Sequence, residues 1–215
     1  MNFIKTNFNG DTNVGLYGFA TDKYCLLGAN NKKIKPVLKV PVFTCRILNL
    51  DFTGIFIAGN SNGIIINDTI EEYEIHRLKS HFDMILVLDA KYTAMGNLIM
   101  MNDSGAIISP LIKKYRREIS GFFGVPCEST KIAGQNIIGN LGIATNRGCL
   151  VHQKIKKSEK DIIERVLRVK SDIGTVSFGS PYPRAGIIAN SNGFAVSDAS
   201  SGPEMGRITE ALGFL

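Results

Sequence analysis

Gly96-NLIMM-Asn102-DS-Gly105-AII joins a glycine, a short apolar strand, a four-residue turn and a second apolar strand. The same run appears before it as Gly54-IFIAG-Asn60-SN-Gly63-III and after it as Gly139-NLGIA-Thr145-NR-Gly148-CLV. Two looser copies flank these, Gly15-LYGFA-Thr21-DK-Tyr24-CLL and Arg184-AGIIA-Asn190-SN-Gly193-FAV. The anchors at 15, 54, 96, 139 and 184 are 39, 42, 43 and 45 residues apart. A period in that range marks supersecondary units that bury their apolar faces only against one another.

Each unit has a local logic. Asparagine at the first turn position and glycine at the fourth predict a type I turn, with the Asn side chain capping it and the Gly taking a left-handed backbone. Tyr24 holds the fourth position in unit one, which predicts a different turn there. Helix starts follow the hairpins. Thr69-IEE has capping-box spacing to Glu72, Ser109-Pro110 places proline at the first helical position, and Ser158-EKD and Gly202-Pro203-Glu204 do likewise. Pro36 and Pro41 leave room for a single helical turn in unit one.

A third strand follows the helix, clearest in Met84-ILVL-Asp89. Unit five ends after Glu204-MGRITEALGFL without one, whereas the alternating segment Phe3 to Phe8 has no unit of its own. The economical solution lends the N-terminal strand to unit five. The expected fold is therefore α/β: a five-fold pseudosymmetric propeller ring of ββαβ-type repeats, one domain over residues 1–215, closed by the N-terminal strand.

Composition agrees. The 215 residues are 44% hydrophobic and 20% charged, as in globular proteins. No apolar run reaches the roughly 18 residues of a membrane span, and the N-terminus lacks signal-peptide features, so the expected location is cytoplasmic. Cys25, Cys45, Cys127 and Cys149 form no C-x-x-C pair. Cys25 and Cys149 share a slot that Ile64, Ala106 and Phe194 fill elsewhere, which predicts reduced, buried, inert thiols. Asn67-DT and Asn102-DS match glycosylation sequons without meaning in such a compartment.

Net charge is +6, gathered in Lys32-Lys33-Ile-Lys35, Lys113-Lys114-Tyr-Arg116-Arg117, Lys154-Ile-Lys156-Lys157 and Arg165-Val-Leu-Arg168-Val-Lys170. Solvated helix faces explain each clump singly; together they favour an anionic neighbourhood. There is no tryptophan and no basic–aromatic interleaving of the kind that stacks bases. No phosphate loop, dinucleotide fingerprint or metal-ligand spacing is present, so neither cofactor nor metal is expected.

Tyr24-Cys25-Leu26-Leu27, Ala94-Met95-Gly96-Asn97, Asn146-Arg147-Gly148-Cys149-Leu150-Val151-His152, Gly174-Thr175-Val176 and Asp198-ASS-Gly202-Pro203-Glu204 also occur in this order in a known family. Across essentially its whole length the chain resembles the translation initiation factor 6 family, which has the pentein fold. Gln153 and Asn67 stand where that family usually has proline, and Ser177 where it often has asparagine. The chain stops soon after the fifth helix, like the archaeal rather than the eukaryotic members.

The resemblance implies a monomeric, non-catalytic binder. Its partner would be the large (50S) ribosomal subunit at its intersubunit face, touching a ribosomal protein and rRNA near the sarcin–ricin loop. Binding there blocks joining of the small (30S) subunit. A role in large-subunit maturation and release by an elongation-factor-like GTPase are also implied. Other penteins are guanidine-modifying deiminases and amidinotransferases that pair a cysteine nucleophile with a histidine, and this is the rival reading. Only His76, His81 and His152 could serve, the first two at i, i+5 on one helix and the third close to Cys149 in sequence.

Candidate ribosome-binding residues are Asn97, Asn140, Arg147, Asn60 and Asn102. Asn97 and Asn140 share a slot that holds Leu16, Ile55 and Ala185 elsewhere, so the fold does not demand asparagine there. Either they bond a neighbouring unit's backbone or they meet a partner. Arg147 lies at a hairpin tip, an exposed turn arginine or a docking cation.

Overall fold

A computed structural model describes residues 2–215; Met1, where the expected domain begins, lies outside the described residues. The five repeats become five three-stranded sheets. Unit one has strands Gly18–Ala20, Cys25–Leu27 and Val42–Thr44, and unit two Ala58–Asn60, Gly63–Asn67 and Ile85–Leu88. Unit three has Ile99–Met101, Ala106–Ile108 and Cys127–Ser129, and unit four Gly142–Ala144, Cys149–His152 and Ser171–Gly174. Unit five has Ile187–Ala189 and Phe194–Ser197, and its third strand is Phe3–Thr6, parallel to the latter with Phe3 opposite Phe194. The N-terminus thus completes the last unit, as expected. In every sheet the middle strand is antiparallel to the first and parallel to the third.

The apolar clusters fall between units rather than within them. Phe19, Leu26 and Ile47 of unit one pack with Ile57, Ile64 and Leu78 of unit two. Met100 and Ile107 of unit three pack with Leu141, Cys149 and Ile163 of unit four. Units five and one are joined likewise, through Ile188 and Ala195 against Val14, Cys25 and Leu38. A unit removed from its neighbours would lose both of its cores, which is why the sequence must repeat.

Several local readings need correction. The residues after each anchor glycine do not begin a strand. They lie in one helical turn in Val14–Tyr17, Thr53–Phe56, Met95–Leu98 and, around Arg184, Pro183–Gly186, and in a plain turn in unit four, and the strand starts afterwards. The turn glycines Gly63, Gly105, Gly148 and Gly193 are not left-handed. They are small because backbone lies against them. A Cβ on Gly148 would stand 2.1 Å from the Ala211 oxygen, and one on Gly105 2.2 Å from the Val166 oxygen, each at the C-terminal end of the next unit's helix.

Since dihedral angle is not the constraint, Tyr24 fits the ordinary turn: Thr21 Oγ1 still accepts from the Lys23 and Tyr24 amides. The Tyr24 ring instead meets Phe82 of unit two, and its hydroxyl donates to the Asn60 oxygen at 2.8 Å.

Helix starts are mixed. Ser109 caps Pro110–Tyr115 as read, and the unit-one helix is the short Lys35–Leu38. The unit-two helix, Glu72–Lys79, has Glu71 at its cap; Thr69 instead donates its hydroxyl to Asn67 Oδ1, so its capping box does not form. In Lys157–Leu167 the cap is Lys156, two residues before Ser158, and in Gly202–Ala211 it is Ser201. Among the described residues no helix is long and apolar enough to cross a membrane.

Candidate docking site

First strands of all five units line a narrow central channel. One end carries the hairpin turns and the other the helical turns that precede the strands. The sequence candidates divide between these ends: Asn60, Asn102 and Arg147 at the turn end, Asn97 and Asn140 at the opposite one.

At the turn end the turn asparagines and aspartates are engaged with the next unit, while the buried hydroxyls of Ser61 and Ser191 have no partner among the described residues. Asn60 and Asn102 are buried. Each caps its own turn through Oδ1, accepting from the Asn62 amide and from the Ser104 and Gly105 amides. Their Nδ2 groups donate onward, Asn60 to the Asn102 oxygen at 3.4 Å, and Asn102 to the Thr145 and Leu167 oxygens at 3.0 and 2.9 Å. Asn190 does the same toward Thr21 and Leu38 across the five–one junction.

A second circle is made by the next turn residue. Asn146 Nδ2 donates to both Asp22 and Asp103, at 2.8 and 2.7 Å, while Asp103 accepts from the Ser61 amide and Asp22 from the Ser191 amide. Arg147 is exposed, yet its guanidinium lies over the Phe214 ring and donates to the Ser191 oxygen. Partial engagement of this kind anchors the C-terminal segment.

The opposite end is less satisfied. Asn97 is half-buried, and its backbone oxygen accepts from the Gly139 amide at 2.9 Å, so the unit-to-unit bond uses main chain and the side-chain amide has no partner among the described residues. Asn140 is also half-buried. Its backbone oxygen takes the Arg184 amide at 3.4 Å, and its Oδ1, like that of Asn136, has no partner among the described residues.

At this end, in connections that follow third strands, stand four tight turns with positive φ, tipped by Asn9-Gly10, Leu48-Asn49, Ala133-Gly134 and Ser177-Phe178-Gly179. Three are held by helix carboxylates. Glu74 accepts from the Asn49 amide, Glu159 from the Ala133 and Gly134 amides, and Glu204 from the Phe178 and Gly179 amides. Burial alone would raise the Glu204 pKa, but these bonds and those from Ser201 and Thr175 hold it below the ordinary value. Phe178, 84% exposed, and Leu50, 44% exposed, stand on these turns.

These carboxylates and Phe178 were missed in the sequence. The capping-box glutamates Glu159 and Glu204 were the available signal, but spacing alone does not reveal that they also seize a turn.

The basic clumps lie on outer helices and loops, with Lys32, Lys33, Lys113, Arg117, Lys157 and Arg168 exposed and Arg116 paired to Glu128 at 3.0 Å. The rival catalytic arrangement is not assembled. All four thiols are free and buried. Burial pushes Cys127 up to about 12 and Cys25 and Cys149 further still, so none is a thiolate near neutrality. The nearest polarisable partner of Cys149 is Met100 Sδ at 3.9 Å. His152 is buried and spends Nδ1 on the Lys154 amide, His81 stacks on Phe43, and His76 faces solvent. Among the described residues no cluster of three metal-ligating side chains occurs.

Comparison with known proteins now decides the family. The model described as the eIF-6 family matches residues 3–211. The chain belongs to the eIF-6 family. Its relatives include the protein named Translation initiation factor 6 of Pyrococcus abyssi, 36% identical with all of both chains covered. Proteins of the same name from Saccharolobus islandicus and Methanococcus maripaludis are 34% and 35% identical, covering 99% and 97% of this chain and 100% and 97% of their own. Family members are therefore named as translation factors rather than as enzymes, in keeping with thiols and imidazoles that do not meet.

Proposed function

We propose that this eIF-6 family chain is a ribosome anti-association factor that binds the large subunit at its intersubunit face and keeps the small subunit from joining prematurely. In this reading the five units form one closed, single-domain, monomeric ring that works by occupying space in the cytoplasm, catalysing nothing. The contacts are with a ribosomal protein and rRNA near the sarcin–ricin loop. The factor also serves late maturation of the large subunit and is released with a GTPase.

The observation that carries the choice of surface is the contrast between the channel's ends. At the turn end, the side chains of Asn60, Asn102, Asn146 and Asn190 are spent on neighbouring units. At the other end the Asn97 side-chain amide has no hydrogen-bond partner among the described residues, and Phe178 and Leu50 are exposed on turns of that end. An end with unspent hydrogen-bonding groups and exposed apolar side chains is the one suited to a partner. Asn60, Asn102 and Arg147 support docking indirectly, by holding the ring together.

The test is a paired measurement on Asn97→Arg, with Asn140→Arg as the same-slot control. Large-subunit pelleting should weaken by at least about fivefold, equivalent to ~1 kcal/mol, through a clash and a lost contact. The thermal melt should barely move, because Leu16 and Ile55 show that the slot tolerates other side chains. Unchanged binding by a folded Asn97→Arg protein would remove this end from the docking surface.

A further inference from the structure

We infer that the channel holds a small inorganic anion of halide size, bound by the Arg184 guanidinium. The argument begins with a broken repeat. The anchor slot is glycine in four units, at Gly15, Gly54, Gly96 and Gly139, and arginine only in unit five. The glycines are enforced by close approach: a Cβ on Gly54 would lie 2.3 Å from the Gly15 oxygen, one on Gly96 2.0 Å from the Gly54 oxygen, and one on Gly139 2.2 Å from the Gly96 oxygen. Arginine fits because the four–five junction is looser. The Arg184 amide reaches the Asn140 oxygen at 3.4 Å, where the corresponding Gly139 amide reaches the Asn97 oxygen at 2.9 Å.

Its side chain enters the channel and crosses to unit two, where Nη2 donates to the Gly54 oxygen at 3.2 Å. That bond uses one of five N–H donors. The cavity it helps line is otherwise walled by Phe19, Ala58, Met100, Ile143 and Ile187 and their neighbours, none of which carries a charge. The carboxylates that line the channel's turn end, Asp22 and Asp103, are already bonded to Asn146, Ser61 and Ser191. A cation so placed has no counter-charge among the described residues, and desolvation lowers its pKa to about 10, which still leaves it charged at neutral pH.

The cavity volume of about 30 Å³ admits one or two particles the size of water. A single halide fits that space. Apolar walls and unused guanidinium donors are the pairing that favours a weakly hydrated anion over water.

Bromide is the probe. At fixed ionic strength, replacing sodium gluconate, whose anion is too large for the cavity, by sodium bromide at tenfold over its dissociation constant should raise Tm by roughly 3–6 °C. Arg184→Gly, which restores the residue of the other four units, and Arg184→Met, which keeps bulk without charge, should both abolish the rise. A bromide-soaked crystal should give an anomalous peak within hydrogen-bonding reach of the guanidinium. A wild-type protein that responds no more than either variant, or a cavity holding only water in the bromide crystal, overturns the inference.

Discussion

Gly148 tests whether the turn glycines are demanded by close packing or by backbone conformation. Its amide is bonded in an ordinary capped turn, and its φ is not in the left-handed region. An alanine Cβ would lie 2.1 Å from the Ala211 oxygen and 3.0 Å from the Leu212 carbonyl carbon. Both atoms are backbone at the end of Gly202–Ala211, so relief requires moving that helix away from the unit-four hairpin. Overpacking of this kind costs about 2–3 kcal/mol, and a chain of this length loses roughly 2–4 °C of Tm per kcal/mol, giving a fall of about 4–12 °C.

Two other glycines serve as controls. Gly124 has φ 66° with nothing near its Cβ position, so Gly124→Ala should cost about 1 kcal/mol through conformation alone. Gly121 lies inside Arg116–Phe123, also with open space, and Gly121→Ala should gain about 0.5–1 kcal/mol. Reversible urea denaturation with spectroscopic detection gives all three values. A Gly148→Ala protein within about 0.5 kcal/mol of wild type, or an order in which Gly124→Ala is the worst of the three, would refute the close-packing explanation.

Two further outcomes follow from buried groups. Glu204 has a depressed folded pKa, so its contribution is present above the unfolded carboxylate value near 4.3 and is lost as pH falls through the folded one. Glu204→Gln should cost about 2 kcal/mol at pH 7 and flatten the stability profile below pH 5, and an unflattened acid limb would show that Glu204 does not titrate with folding. Replacing Cys25 and Cys149 by alanine should cost about 1–2 kcal/mol through small cavities and leave large-subunit pelleting unchanged; lost binding in a folded double variant would give the thiols a functional role.

The repeat was legible because burial is symmetric: every unit must cover its neighbour, so the same apolar slots recur at Leu26, Ile65, Ile107, Leu150 and Ala195. The N-terminal strand was legible by the same logic, as an apolar segment without a unit beside a unit without a strand. What failed was any reading that needed distance. Nothing in Gly148 distinguishes a glycine required by φ from one required by the Ala211 carbonyl, because the partner lies more than sixty residues on. The docking candidates failed to separate for a related reason. Asn97 and Asn102 are five residues apart in sequence but at opposite ends of a strand, one with its amide unpartnered among the described residues and the other with its amide buried in a junction.

The departures from five-fold regularity bear on function because of what a partner must recognise. Five repeated units docking only through their shared features could settle in five nearly equivalent orientations, and only one could place a given unit against a given partner group. Repeated polar groups such as the turn asparagines are, besides, consumed by the junctions they stabilise. Orientation must therefore be fixed by residues that break the pattern and remain unspent. Asn97 and Asn140 in a slot otherwise apolar and Phe178 on one turn of four meet that condition at the same end of the channel, whereas Arg184, in a slot otherwise glycine, is turned inward onto the Gly54 oxygen. Tyr24, the departure at the opposite end, has both its ring and its hydroxyl bound to unit two, so it fixes a junction and leaves nothing for a partner.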